Sequence, residues 1–167
     1  KINIETQSVV YINRDLNQKV VNSLCDCAVF SGMNDKQIEQ VLQFSDLIQK
    51  QSGQFIFEQD TNLTHIYYVY DGAIKLSRNT IKGDEKIIEV VFSGNTFAEG
   101  VLFSGAPRYP VTATAIKPSV LISIQAQPLL KLLKSSADLC IRMLGHLSVR
   151  LHWMVKELDK QTLHNAS

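Results

Sequence analysis

The 167-residue chain has almost no net charge: seventeen Lys and Arg stand against sixteen Asp and Glu, leaving +1. A chain so balanced has no global electrostatic attraction for nucleic acid. No apolar run approaches the ~18–20 residues that a membrane-crossing helix requires, so no membrane role is expected. Cysteine is scarce: Cys25, Cys27 and Cys140 are the three in the chain. They are too few and too badly spaced for a disulfide framework, which points to a reducing cytoplasm. The first residues, Lys1 to Glu5, are polar and carry no signal-peptide pattern. Nucleophile elbows, Walker loops and His-Glu-x-x-His are all missing, so no catalytic constellation emerges and an enzyme is not expected.

What is present is a change of period along the chain. Residues 1–15 show no clean repeat and are read as an arm. Leu16, Val20, Val21 and Leu24 form a helical stripe. Asn34-Asp35 caps a second amphipathic segment carrying Ile38, Val41, Leu42 and Leu47. Beyond Leu47 the period falls to two. Short β-branched and aromatic runs at 54–57, 66–70, 73–77, 87–92, 112–115 and 120–124 are separated by glycine turns, and Asp71-Gly72 reads as a two-residue hairpin. Strands at this spacing indicate a sandwich or jelly roll.

The C-terminal part is helical again. Pro128 opens a short helix through Leu133, and Ser135 with Asp138 three residues later has the form of a capping box. Cys140, Leu144, Leu147, Leu151, Met154 and Leu158 then recur at spacings of four and three, an a/d seam. Helical to Asn165, this segment is about 45 Å long at ~1.5 Å per residue. A helix of that length outreaches so small a domain and is expected to pair with its own copy, giving a homodimer. Ile141 and Val155 widen the stripe, so the helix can touch its own barrel as well.

Residues 97–115, FAEGVLFSGAPRYPVTATA, read as a short helical turn, a loop and a strand. Small residues there allow a ligand to approach the backbone. This stretch resembles the phosphate-binding cassette of the cyclic-nucleotide-binding β-roll. With the glycine-closed segment at 70–76, Gly83 and the long helix, the chain resembles the sensor half of a bacterial CRP/FNR-type transcription regulator. Dissimilatory nitrate respiration regulators (DNR) have similar cassettes, with F-A-E followed by P-x-Y.

The resemblance implies an α+β fold: a double-stranded β-helix or jelly-roll barrel flanked by N-terminal helices and a long C-terminal dimerisation helix. It implies an arm over 1–15, a sensor domain over 16–134 and a dimerisation helix over 135–167. The helix-turn-helix that reads DNA in such regulators is not among these residues, so DNA is expected to be reached only through that further module. The implied effector-binding residues are Phe97, Ala98, Glu99, Gly100, Arg108, Tyr109 and Pro110. Departures from the cyclic-nucleotide pattern stand beside them. Ala98 replaces the usual glycine, Tyr109 and Pro110 occupy the arginine and serine positions, and Arg108 is one residue displaced. Three cysteines cannot supply the four thiolates of an FNR-type cluster, so no iron–sulfur centre is expected. The DNR-like reading instead implies a haem and nitric oxide, with His146 and His152 as candidate axial ligands. A cyclic nucleotide is the alternative effector. No resident metal ion is expected.

Overall fold

The structure, a computed structural model, describes residues 18–165, with side chains described as far as residue 161. The N-terminal arm, Leu16 of the first stripe and the side chain of His164 lie outside the described residues. Helix α1 spans 18–26 and buries Val20 and Leu24. Turns over 27–32 lead to α2, Asp35–Gln43. Asn34 caps it in a reciprocal box: Gln37 N donates to Asn34 Oδ1 (2.8 Å) and Asn34 N to Gln37 Oε1 (3.0 Å).

Eight strands follow: β1 Ser45–Lys50, β2 Phe55–Phe57, β3 His65–Asp71, β4 Ala73–Asn79, β5 Glu85–Phe92, β6 Thr96–Phe97, β7 Thr112–Ala115 and β8 Ser119–Gln125. The six-residue helix α3, Glu99–Ser104, lies between β6 and β7. The strands make two four-stranded antiparallel sheets, ordered β1-β8-β3-β6 and β2-β7-β4-β5. This is the jelly-roll-like β-roll of the expected α+β class. Strand β1 was not foreseen. Leu47 sits at helical spacing from α2, yet 45–50 pairs with 119–124 of β8.

Asp71-Gly72 is not a hairpin turn. Strands β3 and β4 belong to different sheets, and the pair of residues is the corner between them. Gly72 has φ 111° there, and Ser119 Oγ accepts from the next amide, Ala73 N, at 3.2 Å. A Cβ on Gly72 would lie 2.1 Å from that oxygen. The hairpin reading failed because a corner and a tight turn use the same local chemistry.

Two cores result. Between the sheets lie Phe57, Tyr67, Val69, Ile74, Phe97, Tyr109 and Leu121. The outer face of β3 and β8 buries Ile66, Tyr68, Ile122 and Ile124 under the helices. Both faces of β3 are thus buried, and Tyr67 and Tyr68 point to opposite cores. Helix α4, Ala126–Lys134, begins two residues before Pro128, which sits in its first turn. Helix α5 runs for 29 residues, Ala137–Asn165. Its cap is Ser136, whose Oγ accepts from Leu139 N (3.2 Å), and Ser135 instead closes α4 by donating to Leu132 O. No helix among the described residues is long and apolar enough to cross a membrane.

Gly72→Ala should combine a steric clash with left-handed strain and cost at least about 2 kcal/mol. Urea unfolding measures this, and a loss below about 0.5 kcal/mol would refute the tight corner.

Candidate functional site

The inward face of α5 is held by three side chains one turn apart. Arg142 Nε donates to Gly32 O (2.9 Å), His146 Nδ1 shares a hydrogen bond with Ser31 Oγ (2.9 Å), and Arg150 Nη2 donates to Asn95 Oδ1 (2.6 Å). Leu139 and Met143 are buried on the same side. Between the second half of α5 and the roll lies a cleft of about 390 Å³. Glu89, Phe92, Asn95, Thr96 and Glu99 line it from the roll, and Leu147, Arg150, Leu151 and Met154 from the helix.

Glu99 enters the cleft because the chain turns sharply just before it. Ala98 has φ 71°, the left-handed region, and precedes α3 as its cap without a side-chain hydrogen bond. An alanine there stores about 1 kcal/mol of strain. Glu99 Oε2 is buried and has no hydrogen-bond partner. Burial, the largest cause, raises the Glu99 pKa above its ordinary 4.5; Glu89 adds to the rise, while its own backbone amide, the Thr96 hydroxyl and Arg150 oppose it. The nearby Cys27 thiol is also held high, chiefly by burial and then by Glu99.

The other cassette residues are dispersed. Phe97 stacks on Tyr67 in the inter-sheet core (centroids 5.2 Å apart, 14° between planes). Gly100 is exposed on α3. Tyr109 is buried and stacks on Phe57 at 3.7 Å. Its hydroxyl accepts from Thr64 N and His65 N and donates to His65 O (2.7 Å). Arg108 is exposed and donates to Asp60 O (3.4 Å), and Pro110 is exposed with its carbonyl accepting from Arg78. Of the seven cassette residues, only Glu99 lines this cleft. His146 and His152 are exposed on α5 and do not line it. Among the described residues no group of three or more His, Cys, Asp or Glu is arranged to hold a metal ion.

The seam residues divide. Cys140 and Leu147 are half-buried against the helical core, and Cys140 Sγ donates to Leu133 O (3.1 Å). Leu144 (63%) and Leu151 (64%) are exposed, as are Met154 and Leu158. One residue along from Cys140 and Met154, Ile141 (66%) and Val155 (48%) are exposed too. Arg150 and Asn95 were not foreseen. The spacing Arg142-His146-Arg150, every fourth residue beside Leu139, Met143 and Leu147, is the signal that could have found the helix-side contacts.

Residues 47–136 match the model of the cyclic nucleotide-binding domain. No curated protein matches the chain. The chain is similar to the solved structure of DNR from Pseudomonas aeruginosa, with 33% identity, a TM-score of 0.81, and 85% of this chain and 63% of that one covered. It therefore spans less than two thirds of that protein. The isolated sensor domain of the same regulator matches with 32% identity and a TM-score of 0.75, covering 86% of this chain and 95% of that domain. Thermus thermophilus catabolite activator protein shares the fold at 21% identity, with a TM-score of 0.61 and coverage of 81% of this chain and 63% of that one.

Because the folded protein must bury the Glu99 charge, its contribution to stability is fullest below pH 4.5 and is lost as pH rises through the raised folded-state pKa. Glu99→Gln should therefore be more stable than the parent at pH 7, with the difference vanishing below pH 4.5. Urea midpoints across pH 4–8 check this, and a variant less stable at pH 7 would contradict it.

Proposed function

This chain belongs to the cyclic nucleotide-binding domain family, among the CRP/FNR-type regulator sensors related to DNR, and on that basis we propose that it is the effector-sensing and dimerisation region of a transcription regulator. The cleft carries this reading. Its walls belong to two bodies, the roll and α5, so any molecule seated there touches both. Binding shifts the balance between packings of α5 only by contacting them differently, and Arg150, Leu147, Leu151 and Met154 are placed to make that difference. The DNA-reading modules carried beyond α5 are then rotated relative to one another.

Dimerisation is proposed along the outward face of α5. Ile141, Leu144, Leu151 and Val155 expose an apolar stripe at spacings of three, seven and four, interrupted by Ser148, which suits a two-stranded coil. The cleft wall and this stripe share Leu151, so the effector site adjoins the seam.

Two effector readings remain distinct. A cyclic nucleotide is favoured by the family match and by Glu99, but Arg108 lies outside the cleft. A haem is the effector implied by the DNR resemblance. The cleft supplies an apolar wall and Met154 but no histidine, because His146 is turned to Ser31 and His152 is exposed. A histidine-ligated haem does not fit this cleft with α5 so placed. A one-to-one Soret band on haemin titration, lost in His146→Ala or His152→Ala, would establish the haem reading and overturn this assignment.

Leu144→Glu and Leu151→Glu should sediment as monomers. Val149→Glu, about 140–160° round the helix from those two, should leave a dimer. In the complete regulator, Arg150→Ala should change operator affinity at least about fivefold with the dimer retained. Dimeric Leu151→Glu would refute the seam, and unchanged operator binding in Arg150→Ala would refute the coupling.

A further inference from the structure

Resting on the effector-cleft reading, we propose that the ligand of this cleft is an apolar molecule ending in a protonated amine, not an anionic nucleotide. The charged side chains lining the cleft are Glu89, Glu99 and Arg150, two carboxylates and one guanidinium, a net charge of −1. One of the five guanidinium N–H donors is taken, since Arg150 Nη2 donates to Asn95 Oδ1 at 2.6 Å, and its single positive charge is outnumbered by the two carboxylates. Glu99 Oε2 is buried with no donor.

The cassette brings no second cation. Arg108 faces outward and donates to Asp60 O, and Tyr109 spends its hydroxyl on the backbone at Thr64 and His65. A phosphate or carboxylate would add a further negative charge beside two carboxylates. An ammonium has three donors and no acceptor, so it can bond Oε2 and neutralise the cleft together. Burial and Glu89 hold the Glu99 pKa high, and a cation at this place would oppose that rise by attraction and by donating to the carboxylate. Phe92, Leu147, Leu151 and Met154 supply the apolar wall for the rest of the molecule.

The test uses a chain-matched series: hexylamine, hexanol, hexanoate and, separately, cyclic AMP. Each is titrated into the 167-residue chain and its Glu99→Gln variant by calorimetry and by amide NMR. Hexylamine should bind saturably, at least about tenfold more tightly than hexanol, as a charge-assisted hydrogen bond requires. It should shift the Thr96, Glu99 and Leu147 amides, and its advantage should disappear in Glu99→Gln. Equal hexylamine binding in parent and variant would overturn the proposal. Tighter binding of hexanoate or cyclic AMP with the same amides shifted would overturn the ligand class and leave the effector cleft standing. If no probe moves those amides, both the ligand class and the effector cleft fall.

Discussion

The docking of α5 onto the roll is the constraint on which the rest depends. A 29-residue helix has far more surface than this domain can cover, so its orientation must be set by a few directional contacts. Arg142, His146 and Arg150 supply one per turn, each to a different acceptor or partner on the body: Gly32 O, Ser31 Oγ and Asn95 Oδ1. Leu139 and Met143 bury apolar area beside the first two. The third contact lies at the cleft, beside half-buried Leu147. Hydrogen bonds to charged groups contribute ~1.5–3 kcal/mol where water is excluded and less where it competes, so this exposed contact is the weakest point of the docking.

The cassette follows from the same placement. The left-handed turn at Ala98 brings Glu99 under Arg150 and Leu147, while the residues after α3 run back to the inter-sheet core. Tyr109 illustrates the division of labour. A buried phenol must satisfy its hydroxyl, and this one does so on the backbone at Thr64 and His65, which ties the cassette loop to the start of β3. Its position near the family's arginine is therefore a packing solution. What remains at the cleft is two carboxylates from the roll, Glu89 and Glu99, and a guanidinium from the helix, three charges on two bodies that need not move together.

Much of the fold was legible in the residues because local chemistry and tertiary placement agreed. Thr112–Ala115 is both a strand by alternation and β7, and Asn34 is both a good cap and the cap used. Legibility failed where one pattern serves two structures. Leu47 continues the α2 stripe yet lies in β1; Asp71-Gly72 turns a corner between sheets; and Ser135 and Ser136 are chemically alike, so only the hydrogen bond to Leu139 identifies the cap. Of the site, Glu99 was readable from the cassette. Arg150 and Asn95 were not, because they are 55 residues apart and meet only when α5 lies across the turn between β5 and β6. The broad apolar stripe of α5 was readable as one face, but its division into an inward set (Cys140, Leu147) and an outward set (Leu144, Leu151) depends on where the roll sits.

Hydrogen exchange along α5 in an Asn95→Ala variant tests the central claim most directly. If the Asn95–Arg150 contact holds the distal helix to the roll, exchange should accelerate over 147–158 while α2 and β3 keep their protection. Unchanged exchange over 147–158, or an equal rise throughout the molecule, would contradict the account.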